Sequence, residues 1–399
     1  MPPIIDPSGT ATSPPGFLAG STFAGIKTYG TGKLDLGILA SDRPCTVAGT
    51  FTKARLHSAS VDINRPRIAD GRARAVVVNS GCANSSTGQR GLDDGALVAN
   101  WVAEKLGAPV DEVLICSTGV IGHFLPMEKI EAGTAAIVLS PDGGAEFASA
   151  ILTTDTRPKH GSVRVGPYTI GGCAKGAGMI YPNMATMLAF LTTDAPVDAR
   201  YLQRCLSRAV NLSFNLVAID SDTSPSDTAL LFANGAGGGE PIGPGGPLAT
   251  EFAEALEALC IHLAKEMARD GEGATRLVEF RVTGGANEAE AAGLVRLLSI
   301  SYLLKSAIHG ADPNWGRIIA VIGRSEANYD EDDVTVAVCG HTVFERRGPT
   351  EVDPLAVSDA MKGDTVTIDI RLGSGPGSAT GWGCDLSREY VTINADYHT

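Results

Sequence analysis

The sequence lacks the segments that mark a secreted or membrane-spanning protein. No run of apolar residues approaches the roughly 18 that a transmembrane helix needs. Residues 1–7 contain neither the basic stretch nor the apolar stretch of a signal peptide. We therefore expect a cytoplasmic protein without a membrane partner.

The cysteines lack the spacing of a metal site or of a disulfide framework. Eight of them are scattered from Cys45 to Cys384, and no two form a CxxC pair. Zinc sites and disulfide-rich domains need closely spaced cysteines. We expect reduced structural thiols and no metal.

Basic residues are also scarce. The chain has 32 Lys and Arg against 45 Asp and Glu, a net charge of −13 at pH 7. Proteins that bind nucleic acid need a basic surface. Nucleic acid is therefore not an expected partner.

What the chain does contain is a glycine-rich segment that leads directly into an apolar run. Residues 175–188 read Lys-Gly-Ala-Gly-Met-Ile-Tyr-Pro-Asn-Met-Ala-Thr-Met-Leu. Gly176 and Gly178 permit close approach that a side chain would block. Pro182 fixes one φ angle and favours an extended residue before it. Thr186 is thus predicted to lie at the mouth of a core strand, a suitable place for a nucleophile.

A hydroxyl group at this position could attack the carbonyl group of the residue before it. Water would cleave the resulting ester, and Thr186 would then begin a new chain with a free α-amine. Such an amine titrates near ~8 in model peptides and can act as the base for its own hydroxyl group. The residues alone equally allow Thr186 to start a β-strand without any chemistry, as β-branched residues often do.

The same segment resembles the self-cleavage and active-site motif of the ornithine acetyltransferase family, also called glutamate N-acetyltransferase. Further motifs that look like that family's landmarks occur in its order along nearly the whole chain. They are Cys116-Ser-Thr-Gly-Val-Ile-Gly122, Thr153-Thr-Asp-Thr-Arg-Pro-Lys159, Asp270-Gly-Glu-Gly273, His309-Gly-Ala-Asp-Pro-Asn-Trp-Gly-Arg317 and Asn394-Ala-Asp-Tyr-His-Thr399. So many ordered matches favour membership of the family over coincidence.

The resemblance implies a self-cleaving acetyltransferase. Cleavage between Ala185 and Thr186 would give an α chain of residues 1–185 and a β chain of residues 186–399. The two chains are expected to stay associated, with two copies of each. The implied reaction moves an acetyl group from N2-acetylornithine to glutamate in arginine biosynthesis, with small amino acids as substrates and no cofactor.

The resemblance also implies the residues of the site. Thr186 is the nucleophile, and Thr118 and Gly119 form the oxyanion hole. The implied substrate-binding residues are Thr153, Lys175, Thr186, Glu272, Asn394 and Thr399. From charge alone, we infer that Lys175 holds a substrate carboxylate and Glu272 an ammonium group.

Three alternatives stay open at the level of sequence. A bifunctional relative would also acetylate glutamate with acetyl-CoA as a co-substrate. An N-terminal-nucleophile amidohydrolase or aminopeptidase would use the same threonine if water reached the ester. A binding protein that no longer reacts is disfavoured by the intact Ala185-Thr186 and Ser-Thr-Gly motifs.

The predicted fold is α/β, a layered αββα-type sandwich with a smaller C-terminal α/β domain. A long helical pattern ends near residue 270 and a strand–helix–strand pattern follows, which places the domains at 1–275 and 276–399. Residues 1–16, rich in Pro, Ser, Thr and Gly, predict a loose arm. Residues 391–393, Val-Thr-Ile, predict a short strand that anchors the C-terminal tail.

Residues 220–227 form a polar loop between two apolar runs. Its three carboxylates are ligands of the kind that magnesium and calcium prefer, but their spacing fits no familiar metal loop. We predict no metal there.

Overall fold

The structure is a computed structural model of the 399-residue chain and describes residues 3–27, 32–181 and 187–396. The predicted cleavage pair, Ala185 and Thr186, and the predicted substrate contact Thr399 lie outside the described residues. Within those ranges the strands are, in chain order, β1 (Ile5–Asp6), β2 (Phe17–Thr22), β3 (Leu36–Phe51), β4 (Arg72–Cys82), β5 (Val113–Val120), β6 (Lys159–Val165), β7 (Tyr168–Lys175), β8 (Leu188–Thr193), β9 (Val217–Ala218), β10 (Thr228–Ala233), β11 (Leu277–Gly285), β12 (Thr335–Val338), β13 (His341–Glu345), β14 (Gly348–Pro349), β15 (Thr365–Arg371) and β16 (Gly377–Cys384).

The α-helices of the same ranges connect and cover these strands. They are α1 (Ala59–Arg67), α2 (Gly88–Leu106), α3 (Met127–Ala136), α4 (Gly144–Ala150), α5 (Ala199–Leu212), α6 (Ala249–Arg269), α7 (Glu288–Ser299), α8 (Tyr302–His309), α9 (Trp315–Gly323), α10 (Pro354–Ala360) and α11 (Arg388–Asp396). No single helix of the described residues is long and apolar enough to cross a membrane, although α7 and α8 together, bent by 61°, have sufficient length and apolar composition.

The described strands form two sheets. The first has the order β1-β6-β7-β8-β10-β3-β4-β5, with β2 paired to β3, and the second has the order β14-β13-β12-β15-β11-β16-β9. Helix α6 packs against strands of both sheets. The apolar residues Leu206 of α5 and Leu256 of α6 share one buried cluster with Leu191 of β8 and Trp382 of β16. The predicted layered α/β class is therefore confirmed.

The centre of the first sheet is buried on both faces. Every residue of β7, β8 and β10 is buried. Strands covered on both faces have continuous apolar runs rather than alternating ones. This accounts for the apolar run after Thr186, which forms β8 and pairs in parallel with β10, Leu188 lying beside Thr228.

The second sheet has its own apolar cluster. Phe280 of β11 and Ile368 of β15 pack there with Leu294 and Leu298 of α7. Strand β9, which precedes residue 276, pairs with β16 in this sheet. The boundary between residues 275 and 276 stays a prediction.

The prediction of a loose N-terminal arm is wrong for residues 3–16. Ile5 pairs with Val163 of β6, and Ala11 is fully buried. A Cβ atom on Gly9 would clash with Ser162, so small residues are needed to bring this segment onto the sheet. A composition rich in Pro, Ser, Thr and Gly therefore reflects close packing here.

The prediction of a strand at residues 391–393 is also wrong, because these residues lie in helix α11. Ser387 Oγ accepts the backbone N–H of Glu389 over 3.2 Å at the start of the helix, and the Asn394 side chain donates to the Tyr390 carbonyl oxygen over 2.9 Å near its end. The preference of β-branched residues for strands depends on neighbouring strands. Among the described residues, no strand pairs with this segment.

The eight cysteines are free thiols, as predicted. All are buried except Cys339, which is partly exposed.

Candidate active site

A small cavity of about 100 Å³ lies where the ends of β5 and β7, the loop before β10 and helix α11 meet. Six of the predicted site residues line it. They are Thr118, Gly119, Thr153, Lys175, Glu272 and Asn394. The fold thus brings together positions that are far apart in the chain, while Thr186 and Thr399 lie outside the described residues.

Thr118 and Gly119 lie near the end of β5, beside Ser80 and Gly81 of the parallel strand β4. Gly119 has φ +126°, and a Cβ atom there would clash with the backbone of Gly81 and Cys82. Only glycine fits this approach of two backbones. The close contact restrains the strand end, as a preorganised oxyanion hole requires.

Lys175 ends β7 and carries its ammonium group into the cavity. The residue is 2% exposed, and Nζ donates hydrogen bonds to Thr153 Oγ1 over 2.8 Å and to Thr118 Oγ1 over 3.4 Å. Burial lowers the pKa of Lys175, while the negative charge of Asp155 acts in the opposite direction. A buried cation next to Thr118 is well placed to bind a substrate carboxylate.

Asp155, which the site prediction did not include, contacts the first glycine of the glycine-rich segment. Its Oδ1 accepts the Gly176 N–H over 2.7 Å and Lys159 Nζ over 2.6 Å. Lys159 also donates to Asp270 Oδ2 over 2.6 Å. Burial alone would raise the pKa of Asp155, but the charges of Lys159 and Lys175 hold it below its ordinary value. The sequence did offer a signal for this cluster, because Asp155 and Lys159 lie in the family-like motif at residues 153–159 and Asp270 lies in the one at residues 270–273.

Glu272 reaches the same cavity from the loop after α6. Its N–H donates to the Ala177 carbonyl oxygen over 2.8 Å, and its Oε2 accepts Asn394 Nδ2 over 2.7 Å. A Cβ atom on Gly178 would clash with the Glu272 carboxyl group. The close approach predicted for Gly178 is therefore confirmed, and its partner is a candidate substrate-binding residue.

Asp220 and Tyr390 are cavity residues that sequence reasoning missed. Asp220 Oδ2 accepts the Met179 N–H over 2.7 Å and the Tyr390 hydroxyl over 3.3 Å. Burial raises the pKa of Asp220 to about 6, and the charges of Asp222 and Glu272 add to the rise. The only signal in the sequence was the polar loop at residues 220–227. Within the described ranges, no group of three or more His, Cys, Asp or Glu residues is arranged to hold a metal ion.

The ArgJ family profile matches residues 18–399. The chain belongs to the ArgJ family. The arginine biosynthesis bifunctional protein ArgJ of Deinococcus radiodurans is 47% identical over 399 residues, which cover 99% of this chain and all of the relative. The protein of the same name from Dehalococcoides mccartyi is 46% identical, with 99% of this chain and 98% of the relative covered.

A solved ArgJ structure is similar over part of the chain. The crystal structure of arginine biosynthesis bifunctional protein ArgJ from Bacillus halodurans is 41% identical, with a TM-score of 0.51. The match covers 52% of this chain and 98% of that chain. These matches confirm the family resemblance seen in the motifs. The roles of individual ArgJ-family positions in this chain stay predictions.

Proposed function

We propose that this protein transfers an acetyl group from N2-acetylornithine to glutamate in arginine biosynthesis, through an acetyl ester on Thr186. The observation that carries the proposal is the cavity in which Thr118, Gly119, Lys175 and Glu272 meet. Strand β8 begins at Leu188, two residues after Thr186 in the chain, and Leu188 pairs with Lys175 of β7. The family of the chain supports the same reaction.

The enzyme first cuts its own chain. The Thr186 hydroxyl oxygen attacks the carbonyl carbon of Ala185, the peptide C–N bond breaks, and the nitrogen of Thr186 takes up a proton to become the α-amine. Water then cleaves the ester between the two residues. The solved Bacillus halodurans chain is 98% covered by a match to only 52% of this chain, and a chain of about half the length supports cleavage near the middle.

Acetyl transfer then uses the same hydroxyl group twice. The α-amine of Thr186 accepts the hydroxyl proton while the oxygen attacks the acetyl carbonyl, and Thr118 and Gly119 stabilise the oxyanion. Collapse of this intermediate breaks the C–N bond and releases ornithine, whose amine takes the proton that the α-amine of Thr186 had accepted. The amine of glutamate next attacks the ester, N-acetylglutamate leaves, and the Thr186 oxygen regains a proton.

The charges of the cavity suit an amino-acid substrate. Lys175 is a buried cation for the α-carboxylate. Glu272 and Asp220 supply negative charge for the side-chain ammonium group of acetylornithine. A buried ion pair of this kind both binds and orients a small molecule.

Mass spectrometry tests the proposal directly. Purified protein should contain two fragments, the second beginning at Thr186. Incubation with acetylornithine, without glutamate, should add one acetyl group to the second fragment, and glutamate should remove it. The variant Thr186→Ala should be uncut and inactive. Active protein that is uncut, or transfer without an acetylated fragment, would contradict the proposal.

A second activity is favoured by one observation: relatives that are 46% and 47% identical bear the name bifunctional. We propose that glutamate is also acetylated from acetyl-CoA, which then serves as a co-substrate rather than a bound cofactor. The assay supplies acetyl-CoA and glutamate without acetylornithine. Continuous release of ornithine without any acceptor amine would instead indicate the amidohydrolase activity.

We also propose that two α chains and two β chains associate, that the enzyme acts in the cytoplasm, and that its chemistry needs no cofactor. Light scattering of the purified enzyme measures the mass of the assembly. A mass equal to one α and one β chain would contradict the first part.

A further inference from the structure

Lys305 of α8 is a buried lysine without an acidic partner. Its side chain is 1% exposed. Nζ donates to the Ile219 carbonyl oxygen over 2.7 Å and to Cys384 Sγ over 3.6 Å, and no carboxylate among the described residues forms an ion pair with it. The buried Lys159, by contrast, lies between two carboxylates.

Stability does not account for a lysine in this place. Its ammonium group carries a charge and three N–H donors, and burying a charge without an opposite charge is costly. An apolar side chain of similar size is often as stable as a buried ion pair, and an unpaired ion is worse than a pair. Methionine would therefore fill the space of Lys305 at lower cost, and the contacts of the ammonium group indicate what it does instead.

The two groups that Lys305 binds belong to two strands at the point where their pairing ends. Strands β9 and β16 run parallel, and their last pair is Ala218 with Gly383. Ile219 and Cys384 come next in each chain, and we call this pair of residues the strand fork. Lys305 Nζ binds both sides of the fork and supplies a donor to a backbone carbonyl group where the ladder between these strands has ended.

Both chains that leave the strand fork lead to the candidate site. One continues directly to Asp220, and the other continues into α11, which carries Tyr390. The two side chains meet again in the cavity wall, where the Tyr390 hydroxyl donates to Asp220 Oδ2 over 3.3 Å. The Lys305 carbonyl oxygen also accepts the Leu386 N–H over 3.2 Å, so the same residue holds the segment before α11.

The peptide group between Ile219 and Asp220 is held from both sides. Its carbonyl oxygen accepts Lys305 Nζ, and its N–H donates to the Ile180 carbonyl oxygen over 3.3 Å. The orientation of this peptide group sets the direction in which the Asp220 side chain leaves the backbone. Lys305 therefore controls the position of the Asp220 carboxyl group without touching it.

The loop that carries Glu272 rests on the same fork. A Cβ atom on Gly271 would lie 3.0 Å from Cys384 Sγ and 3.1 Å from the Ile219 side chain. The strand fork thus supports both carboxyl groups that the proposed function assigns to the substrate ammonium group.

We propose that Lys305 is a positioning residue that makes the site selective for a donor with a side-chain ammonium group. It holds the strand fork so that the Asp220 carboxyl group faces this ammonium group. The inference rests on the proposed function, in which acetylornithine is the donor. The ammonium group does not react, so its contact is equally strong before and during acetyl transfer. Loss of such a contact raises KM and leaves kcat unchanged.

The test compares two acetyl donors in the variant Lys305→Met. N2-acetylornithine carries the ammonium group, and N2-acetylnorvaline is the same molecule without it. The KM for acetylornithine should rise at least ~10-fold, the effect of weakening one hydrogen bond to a charged group. The KM for acetylnorvaline, and kcat with either donor, should change little. A merely structural role would impair both donors equally, and that result would overturn the inference.

A double variant shows whether Lys305 acts through Asp220. Residues that act through one another have effects that do not add. Lys305→Met combined with Asp220→Asn should therefore retain the same preference for acetylornithine as Asp220→Asn alone, and additive losses would overturn the inference. Ser306→Ala is the control on α8, because this exposed hydroxyl donates to the Tyr302 carbonyl oxygen of its own helix. It should leave both KM values unchanged.

Lys305→Gln covers the case in which Lys305→Met does not fold, as judged by circular dichroism. Its amide keeps an N–H donor without the charge, so the preference for acetylornithine should fall by less than in Lys305→Met. A folded variant of either kind that keeps the wild-type ratio of kcat/KM for the two donors would show the inference to be wrong. If the wild-type enzyme transfers no acetyl group from acetylornithine to glutamate, it is the proposed function that fails.

Discussion

Asn394 Nδ2 donates a hydrogen bond to Glu272 Oε2 over 2.7 Å, which joins the C-terminal helix α11 to the loop after α6. Both side chains line the cavity. No residue of α11 is buried, so the helix contributes little to the core. Helix α11 therefore forms part of the wall of the candidate site, although none of its residues is buried.

The first prediction concerns a truncation that ends at Ile393. It should leave self-cleavage largely intact, since that step uses Thr186 and its neighbours, but kcat/KM for acetyl transfer should fall about 10- to 100-fold. This is the effect of losing a hydrogen bond to a charged group, worth about 1.5–3 kcal/mol. Cleavage is scored on a gel and transfer by steady-state assay. The control Val391→Ala changes a 65% exposed residue of the same helix and should have no effect. Undiminished transfer in the truncated, cut protein would remove Asn394 from the site.

The second prediction is that Gly119→Ala lowers kcat about 100- to 1000-fold, as expected for loss of an oxyanion donor. The added methyl group must push β5 away from Gly81 and Cys82. Gly122→Ala is the matched control, because Gly122 also has a positive φ of +83° but a Cβ atom there meets nothing within 4 Å. If kcat falls equally in the two variants, the cause is backbone strain rather than damage to the oxyanion hole.

The third prediction concerns pH. The pKa of Asp220 is raised to about 6, so the side chain is charged above that pH and neutral below it. Its negative charge favours a substrate ammonium group. The KM for acetylornithine should therefore rise as the pH falls through about 6, and Asp220→Asn should flatten this part of the profile. Initial-rate measurements across the range provide the test. If the KM of the wild-type enzyme is the same above and below this pKa, Asp220 does not contact the substrate cation.

The fourth prediction concerns stability. Lys159 is fully buried between Asp155 and Asp270, at 2.6 Å from each. Lys159→Met leaves two buried carboxylates unpaired and should lower the free energy of unfolding by about 3–5 kcal/mol. In the exposed pair of Lys362 and Asp359, Lys362→Met should cost less than about 1 kcal/mol. Chemical denaturation of the two variants gives the comparison, and equal losses would contradict the argument.

The same cluster sets the direction of the acid response. The pKa of Asp155 is lower in the folded protein than in the unfolded chain, where an Asp titrates near ~3.9. Its stabilising contribution is therefore fully present above that unfolded pKa. The contribution is lost as the pH falls from there towards the lower folded pKa. Wild type should lose more stability than Asp155→Asn over this acid range.

The sequence around Thr186 was sufficient to predict the local course of the chain on either side of the candidate nucleophile. The apolar run after Thr186 forms the fully buried strand β8, as the pattern indicated. Gly178 permits a close approach, and the family motifs identified six residues that line one cavity. These features depend on short stretches of sequence, in which residue type and spacing alone limit the backbone.

Long-range packing decided the rest. Asp220 and Tyr390 are 170 positions apart and meet only because α11 folds back over the loop before β10. The β-branched residues 391–393 are helical because no strand lies beside them in the described structure. The carboxyl group of Asp227 is placed against Met187 by the parallel pairing of β8 with β10. The sequence by itself determined which chemical groups the protein carries and how the chain runs locally. Only the tertiary structure decided which of those groups are desolvated and adjacent, because burial and pairing arise from segments that are distant in the chain.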